Sequence, residues 1–149
     1  MSEGLYADVR EWDRYDLDIL NFVEDEMPKE CKKFMRREGG KLRTATKKEA
    51  RSTISKKSGN YLAGVKATKA WKNAKGDYGV KVRADQKTAP HTHLIEFGHR
   101  MVTRYGDDTG YRATDFHVYQ KANEFFRSRF YNDSLDFVGQ MLDNGLTGK

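Results

Sequence analysis

Residues 89 to 100, Ala89-Pro90-His91-Thr92-His93-Leu94-Ile95-Glu96-Phe97-Gly98-His99-Arg100, place three of the chain's four histidines and one carboxylate within nine positions. Two readings compete. Either His91, His93, Glu96 and His99 hold a metal, or the segment from Leu94 to Gly98 is architecture. If the segment is extended, His91 and His93 share a face with Ile95 and Phe97, while Thr92, Leu94 and Glu96 point the other way. If it is helical, His93, Glu96 and Arg100 share a face and His91 leaves it. Neither geometry gathers all four groups. His-x-His also lacks the fixed helical spacing that makes His-Glu-x-x-His a metal motif. A distant ligand such as Asp115 or His117, and hydrogen-bond partners to orient the ligands, would still be needed. No metal and no cofactor is therefore expected. As architecture, Leu94, Ile95 and Phe97 supply apolar anchors and Gly98 lets the chain turn sharply. Glu96, near Arg100 and Arg104, is expected to pair with a cation.

Upstream of this stretch the period is two. Val65, Ala67, Lys69 and Trp71 alternate with Lys66, Thr68 and Ala70, and Tyr78, Val80, Val82 and Ala84 alternate with Gly79, Lys81 and Arg83. Asn73-Ala74-Lys75-Gly76-Asp77 between them predicts a β-hairpin turn with Gly76 at positive φ. The outward face of this hairpin is basic. Further upstream the period is helical. Trp12, Tyr15, Ile19, Leu20, Val23, Met27, Cys31 and Phe34 step by three and four, with carboxylates at the start and Lys or Arg at the end. Pro28 predicts a kink, or a second helix starting at that proline. Gly39-Gly40 punctuates the segment, and Leu42, Ala45 or Thr46, Ala50 and Ile54 continue as a second, basic helix. Ser58-Gly59-Asn60 reads as a break.

Downstream, residues 98 to 113 read as a glycine-rich polar loop, of the kind that carries function or mobility. From Thr114 the helical period returns through Phe116, Tyr119, Ala122, Phe126 and Phe130, then Phe137, Val138, Met141 and Leu142. Thr114 or Asp115 is placed to cap this helix and Gly145 to end it. The expected fold is α+β: a long N-terminal helix kinked or broken near Pro28, a second basic helix, a small antiparallel sheet built on a hairpin, and a long C-terminal helix. One domain is expected over residues 1–149, with 1–57 helical, 61–97 the β part, 98–113 the loop and 114–143 the last helix.

Charged residues make up 34% of the chain and the hydrophobic set 37%, so the core is lean. The single cysteine, Cys31, excludes an internal disulfide and fits a reducing compartment. No run approaches the length of a membrane helix, and the N-terminus lacks the order of a signal peptide, so a soluble cytoplasmic protein with no membrane partner is expected. Charge is polarised along the chain. Residues 1–28 set nine carboxylates against Arg10 and Arg14, net −7, while residues 29–58 set twelve Lys or Arg against three Glu, net +9. Such segments suit contact between an acidic face of one copy and a basic face of the next. Asp13, Asp16, Glu24 and Asp25 are the candidate acidic contacts. Lys32, Arg36, Arg37, Lys47 and Lys48 are the basic ones. Residues 29–58 and the hairpin, with Trp71 and Tyr78 as stacking groups, could instead bind nucleic acid. Catalysis finds no pattern: Cys31 sits on an apolar helix face, no serine lies in Gly-x-Ser-x-Gly, and no glycine-rich turn carries the lysine and hydroxyl of a phosphate loop.

Ser58-Gly59-Asn60-Tyr61-Leu62, the basic hairpin, Ala89-Pro90-His91-Thr92-His93-Leu94-Ile95-Glu96-Phe97-Gly98, the glycine-rich loop and the aromatic last helix together resemble the neck and tail-completion proteins of siphophages, the gene-product-ten-like family of the HK group. The resemblance covers about residues 10 to 143, and His93-Leu94-Ile95-Glu96-Phe97-Gly98 is its most specific part. It departs from the family at residues 110–117, where a proline-rich segment is replaced by Gly110-Tyr111-Arg112-Ala113-Thr114-Asp115-Phe116-His117. The resemblance implies a non-enzymatic virion protein of a phage or prophage, made in the bacterial cytoplasm. It would assemble as a homo-oligomeric ring at the head-tail junction, beside other neck and tail proteins and in passing contact with DNA.

Overall fold

The computed structural model describes residues 9–54 and 59–147, with side chains described for 13–54 and 59–145. The acidic residues Glu3 and Asp8, the side chain of Trp12 and the expected break at Ser58 lie outside these. Helix α1 spans Val9–Asn21, a π-helical turn spans Phe22–Glu26, and α2 spans Met27–Thr53. Pro28 stands in the first turn of α2, directly after the π-turn, in a run of helical backbone that continues on both sides of it. The π-turn absorbs the register change just before it.

Gly39-Gly40 does not interrupt the helix, contrary to the expected punctuation: α2 runs through both. The reason is packing. A Cβ built on Gly39 would stand 2.6 Å from Cγ2 of Val80, so the glycine lets the β-hairpin approach the helix backbone. Lys, Arg, Glu and Ala, strong helix formers, carry the rest of α2 across the gap.

A short helix, α3 (Asn60–Gly64), leads into strand β1 (Val65–Ala67). Then follow β2 (Trp71–Lys72), β3 (Tyr78–Gly79) and β4 (Val82–Ala84). The expected hairpin forms, but its ladder is interrupted. Val65 faces Ala84 and Ala67 faces Val82 in one antiparallel pair, whereas Trp71 faces Gly79 in the other, a register slip of one residue. The Asn73 side chain closes the turn by accepting the amides of Lys75 and Asp77, with Gly76 at φ 93°.

Two regions depart from expectation. Thr92–Phe97, expected within the β part at 61–97, is a helix, α4. The Thr92 hydroxyl donates to Ala89 O at 2.8 Å and the Leu94 amide to His91 O at 3.0 Å, so the segment satisfies its backbone locally. The stretch 98–113 is not a bare loop either. It carries an antiparallel hairpin, β5 (Arg100–Val102) with β6 (Asp108–Arg112), whose residues are all exposed. The last helix, α5, spans Val118–Thr147; it starts later than Thr114 and continues through Gly145.

Two clusters form the core. In one, Phe34 of α2 stacks on Phe137 of α5 with ring centres 4.5 Å apart and lies 6.0 Å from Phe130. Such pairs add about 0.5–1.5 kcal/mol to the burial itself. In the other, Ala50, Tyr61, Val65 and Val118 are buried together, surrounded by Ile54, Leu62, Val82, Ile95, Phe116 and Tyr119. The second cluster is where α2, the hairpin, α4 and the start of α5 meet. No helix among the described residues is long and apolar enough to cross a membrane.

Candidate functional site

Glu96 lies at that meeting point and is 6% exposed. A buried carboxylate must be paired or hydrogen-bonded. The expected ion pair is not formed among the described residues: Arg100 pairs instead with Asp108 across β5 and β6 at 3.0 Å. The Tyr61 hydroxyl donates to Glu96 Oε1 at 2.5 Å, and the Tyr119 backbone amide donates to Oε2 at 3.2 Å. The second bond falls in the first turn of α5, so Glu96 caps that helix from 23 positions away. This replaces the expected local cap by Thr114 or Asp115.

The backbone completes the junction. Phe116 N donates to Ile95 O at 3.1 Å and His117 N to Glu96 O at 3.2 Å. His117 adopts φ 47°, a conformation that non-glycine residues take only under constraint, and its ring contacts Asp115 Oδ2 at 3.0 Å. Gly98, at φ 65°, is required here: a Cβ would stand 2.4 Å from Ala113 O. Leu94 and Ile95 are half-buried, while Phe97 is exposed and stands edge-on to the His117 ring. Phe97 is thus not a core anchor.

Burial, the bond to Glu96 and its negative charge push the Tyr61 hydroxyl far above the usual tyrosine range. Burial and the Glu96 charge push Tyr119 up to about 12. Both groups stay protonated, and the Tyr119 hydroxyl is buried with no partner among the described residues. Their raised values make them poor general bases near neutrality. Cys31 is half-buried, and burial raises its thiol, the opposite of nucleophile activation. No three His, Cys, Asp or Glu side chains among the described residues converge as a metal site.

A second buried carboxylate has no counterpart in the sequence reading. Glu38 is 1% exposed on the inner side of α2. Its Oε1 meets Lys41 Nζ at 2.8 Å and Arg37 Nε at 3.4 Å, and its Oε2 is buried without a partner among the described residues. Lys41 bridges to Asp133 of α5 at 2.6 Å, joining the two long helices through charge. The signal was present: Glu38 occupies the i+4 row Phe34, Glu38, Leu42, Thr46, Ala50, otherwise apolar or small.

The candidate interface charges lie at the surface. Asp13, Asp16, Glu24, Asp25, Lys32, Arg36, Arg37 and Lys48 are exposed, and Lys47 is half-buried. Burial and the neighbouring charges of Arg43 and Arg51 lower the Lys47 ammonium below the ordinary lysine value. Of the proposed stacking aromatics, the Trp71 ring lies against Gly79, where a Cβ would stand 2.5 Å away, with Lys81 5.9 Å from its centre. Lys72 stands 5.4 Å from the centre of the Tyr78 ring. Comparison with protein-family models, curated proteins and solved structures finds no match.

Proposed function

We propose that the chain is a non-enzymatic phage or prophage virion protein, a neck or tail-completion component that assembles as a ring at the head-tail junction. The supporting observation is an exposed surface that combines large apolar side chains with segregated charge. Leu17, Leu20 and Val23 are exposed in the acidic segment, and Phe125, Val138 and Leu142 are exposed on α5, which packs along the basic α2. Large exposed apolar residues beside separated charge fit subunit contacts better than a solvated monomer surface. The resemblance around His93-Leu94-Ile95-Glu96-Phe97-Gly98 supplies the class. In this reading Glu96 and Gly98 serve the fold, holding α5 against α3 and α4, while the helices supply the contacts.

Sedimentation of the purified chain at low and high salt tests this reading. Self-association that weakens with salt supports it; a strict monomer at both, at high concentration, contradicts it. Nucleic-acid binding is the second reading, favoured by the basic hairpin and α2. Its stacking component is weakened by the glycine and lysines already packed on Trp71 and Tyr78. Tight, salt-dependent binding by the monomer in a gel shift would reverse the order of the two readings.

A further inference from the structure

The two long helices leave an open groove of about 550 Å3 between α2 and α5. Ala45 and Phe125 supply its apolar surface, and Arg37, Lys41, Lys48 and Arg129 supply its charge. Phe125 is 81% exposed, so a large aromatic stands at the groove with no intramolecular cover. Lys48 forms no ion pair among the described residues.

The complementary surface is on α1. Asp13, Leu17 and Leu20 follow one another by four and three positions, and Glu24 comes four further on, in the π-turn. These positions share the helix side opposite Ile19 and Phe22, the half-buried residues that pack toward α5. Leu17 is 59% and Leu20 52% exposed, and Asp16 lies beside them. Asp13, Asp16 and Glu24 form no ion pair among the described residues. An amphipathic helix with two leucines flanked by carboxylates is what a cation-rimmed apolar groove recognises.

We infer that α1 of one copy lays Leu17 and Leu20, flanked by Asp13, Asp16 and Glu24, into the α2–α5 groove of the next copy, against Phe125 and beneath Arg37 and Lys48. The inference rests on the ring reading above and names its contact. Donor and acceptor are different surfaces of the same chain, so the contact is heterologous. Repetition of it yields a ring when the rotation between copies closes. No partner beyond a second copy is needed for this step.

Three full-length variants test it by mixing. Leu17→Asp with Leu20→Asp removes the donor face and keeps the groove; Phe125→Asp spoils the groove and keeps the donor. All three side chains are exposed, and far-UV circular dichroism confirms folding. Asp13→Lys with Asp16→Lys is a second donor variant, free of any change in apolar residues. Each variant alone is expected to sediment as a monomer under conditions where the parent assembles. A mixture of one donor variant with Phe125→Asp is expected to form a one-to-one dimer and no larger species, because only one intact interface remains. Variants that assemble like the parent, or a mixture that stays monomeric, would overturn the docking while leaving the ring reading standing. A parent that never assembles would overturn the ring reading itself.

Discussion

The Tyr61 hydroxyl meets the Glu96 carboxylate at 2.5 Å across 35 positions of sequence, and both groups are buried. This bond joins the helix before the hairpin to the helix after it. Tyr61→Phe leaves one carboxylate oxygen without its donor and is expected to cost about 1–3 kcal/mol. Glu96→Ala strands both the Tyr61 hydroxyl and the Tyr119 amide, and about 3 kcal/mol or more is expected. Urea unfolding followed by circular dichroism measures both; equal stability of parent and Tyr61→Phe would show that the bond is not structural.

The same two tyrosines set an alkaline limit. The Tyr61 and Tyr119 hydroxyls are raised above their unfolded value near 10, Tyr119 to about 12. Above pH 10 the unfolded chain therefore binds fewer protons at these sites than the folded one, and stability falls as pH rises. In a spectrophotometric titration of the eight tyrosines, two are expected to ionise late, together with unfolding. Ionisation of all eight in one reversible step near pH 10, with the fold intact, would contradict this.

Adjacent glycines should respond in opposite directions. Gly40→Ala meets nothing within 4 Å and is expected to stabilise the chain by up to about 1 kcal/mol through helix propensity. Gly39→Ala drives a methyl to 2.6 Å from Val80 and is expected to destabilise by about 1–3 kcal/mol. Thermal melts of the two variants, compared with the parent, decide it.

Lys41 stabilises two carboxylates at once. Lys41→Met leaves the buried Glu38 without its nearest cation and is expected to cost about 2 kcal/mol, less than for a fully buried pair because Lys41 reaches solvent. The hydrogen bond from Lys41 holds the Asp133 carboxyl below the ordinary carboxylate range. That contribution is present above the unfolded value and is lost as pH falls through the lowered one. Asp133, with Glu38, in turn raises Lys41, whose share is present below the ordinary lysine value and is lost as pH rises through the raised one. The acid limb of a stability profile should be shallower in Lys41→Met than in the parent.

Periodicity located the long helices and the first hairpin, because their patterns are local: steps of three and four before Pro28, and alternation on both sides of Gly76. The α+β class followed from that order. Non-local chemistry was hidden. Glu96 looked like half of an ion pair, since Arg100 and Arg104 are near in sequence, yet its partners lie 35 and 23 positions away. The cap of α5 was invisible for the same reason. Gly39 looked like punctuation, and only the approach of Val80 shows it as a contact. The β5–β6 hairpin lacked a pattern because every residue in it is exposed, so no apolar alternation marks the strands.

The most direct test is gold-labelled antibody against this chain, applied to purified particles of the phage or induced prophage that encodes it. Label confined to the head-tail junction, with the chain found in those particles by mass spectrometry, is the predicted result. Particles complete with head and tail but free of the chain would contradict it.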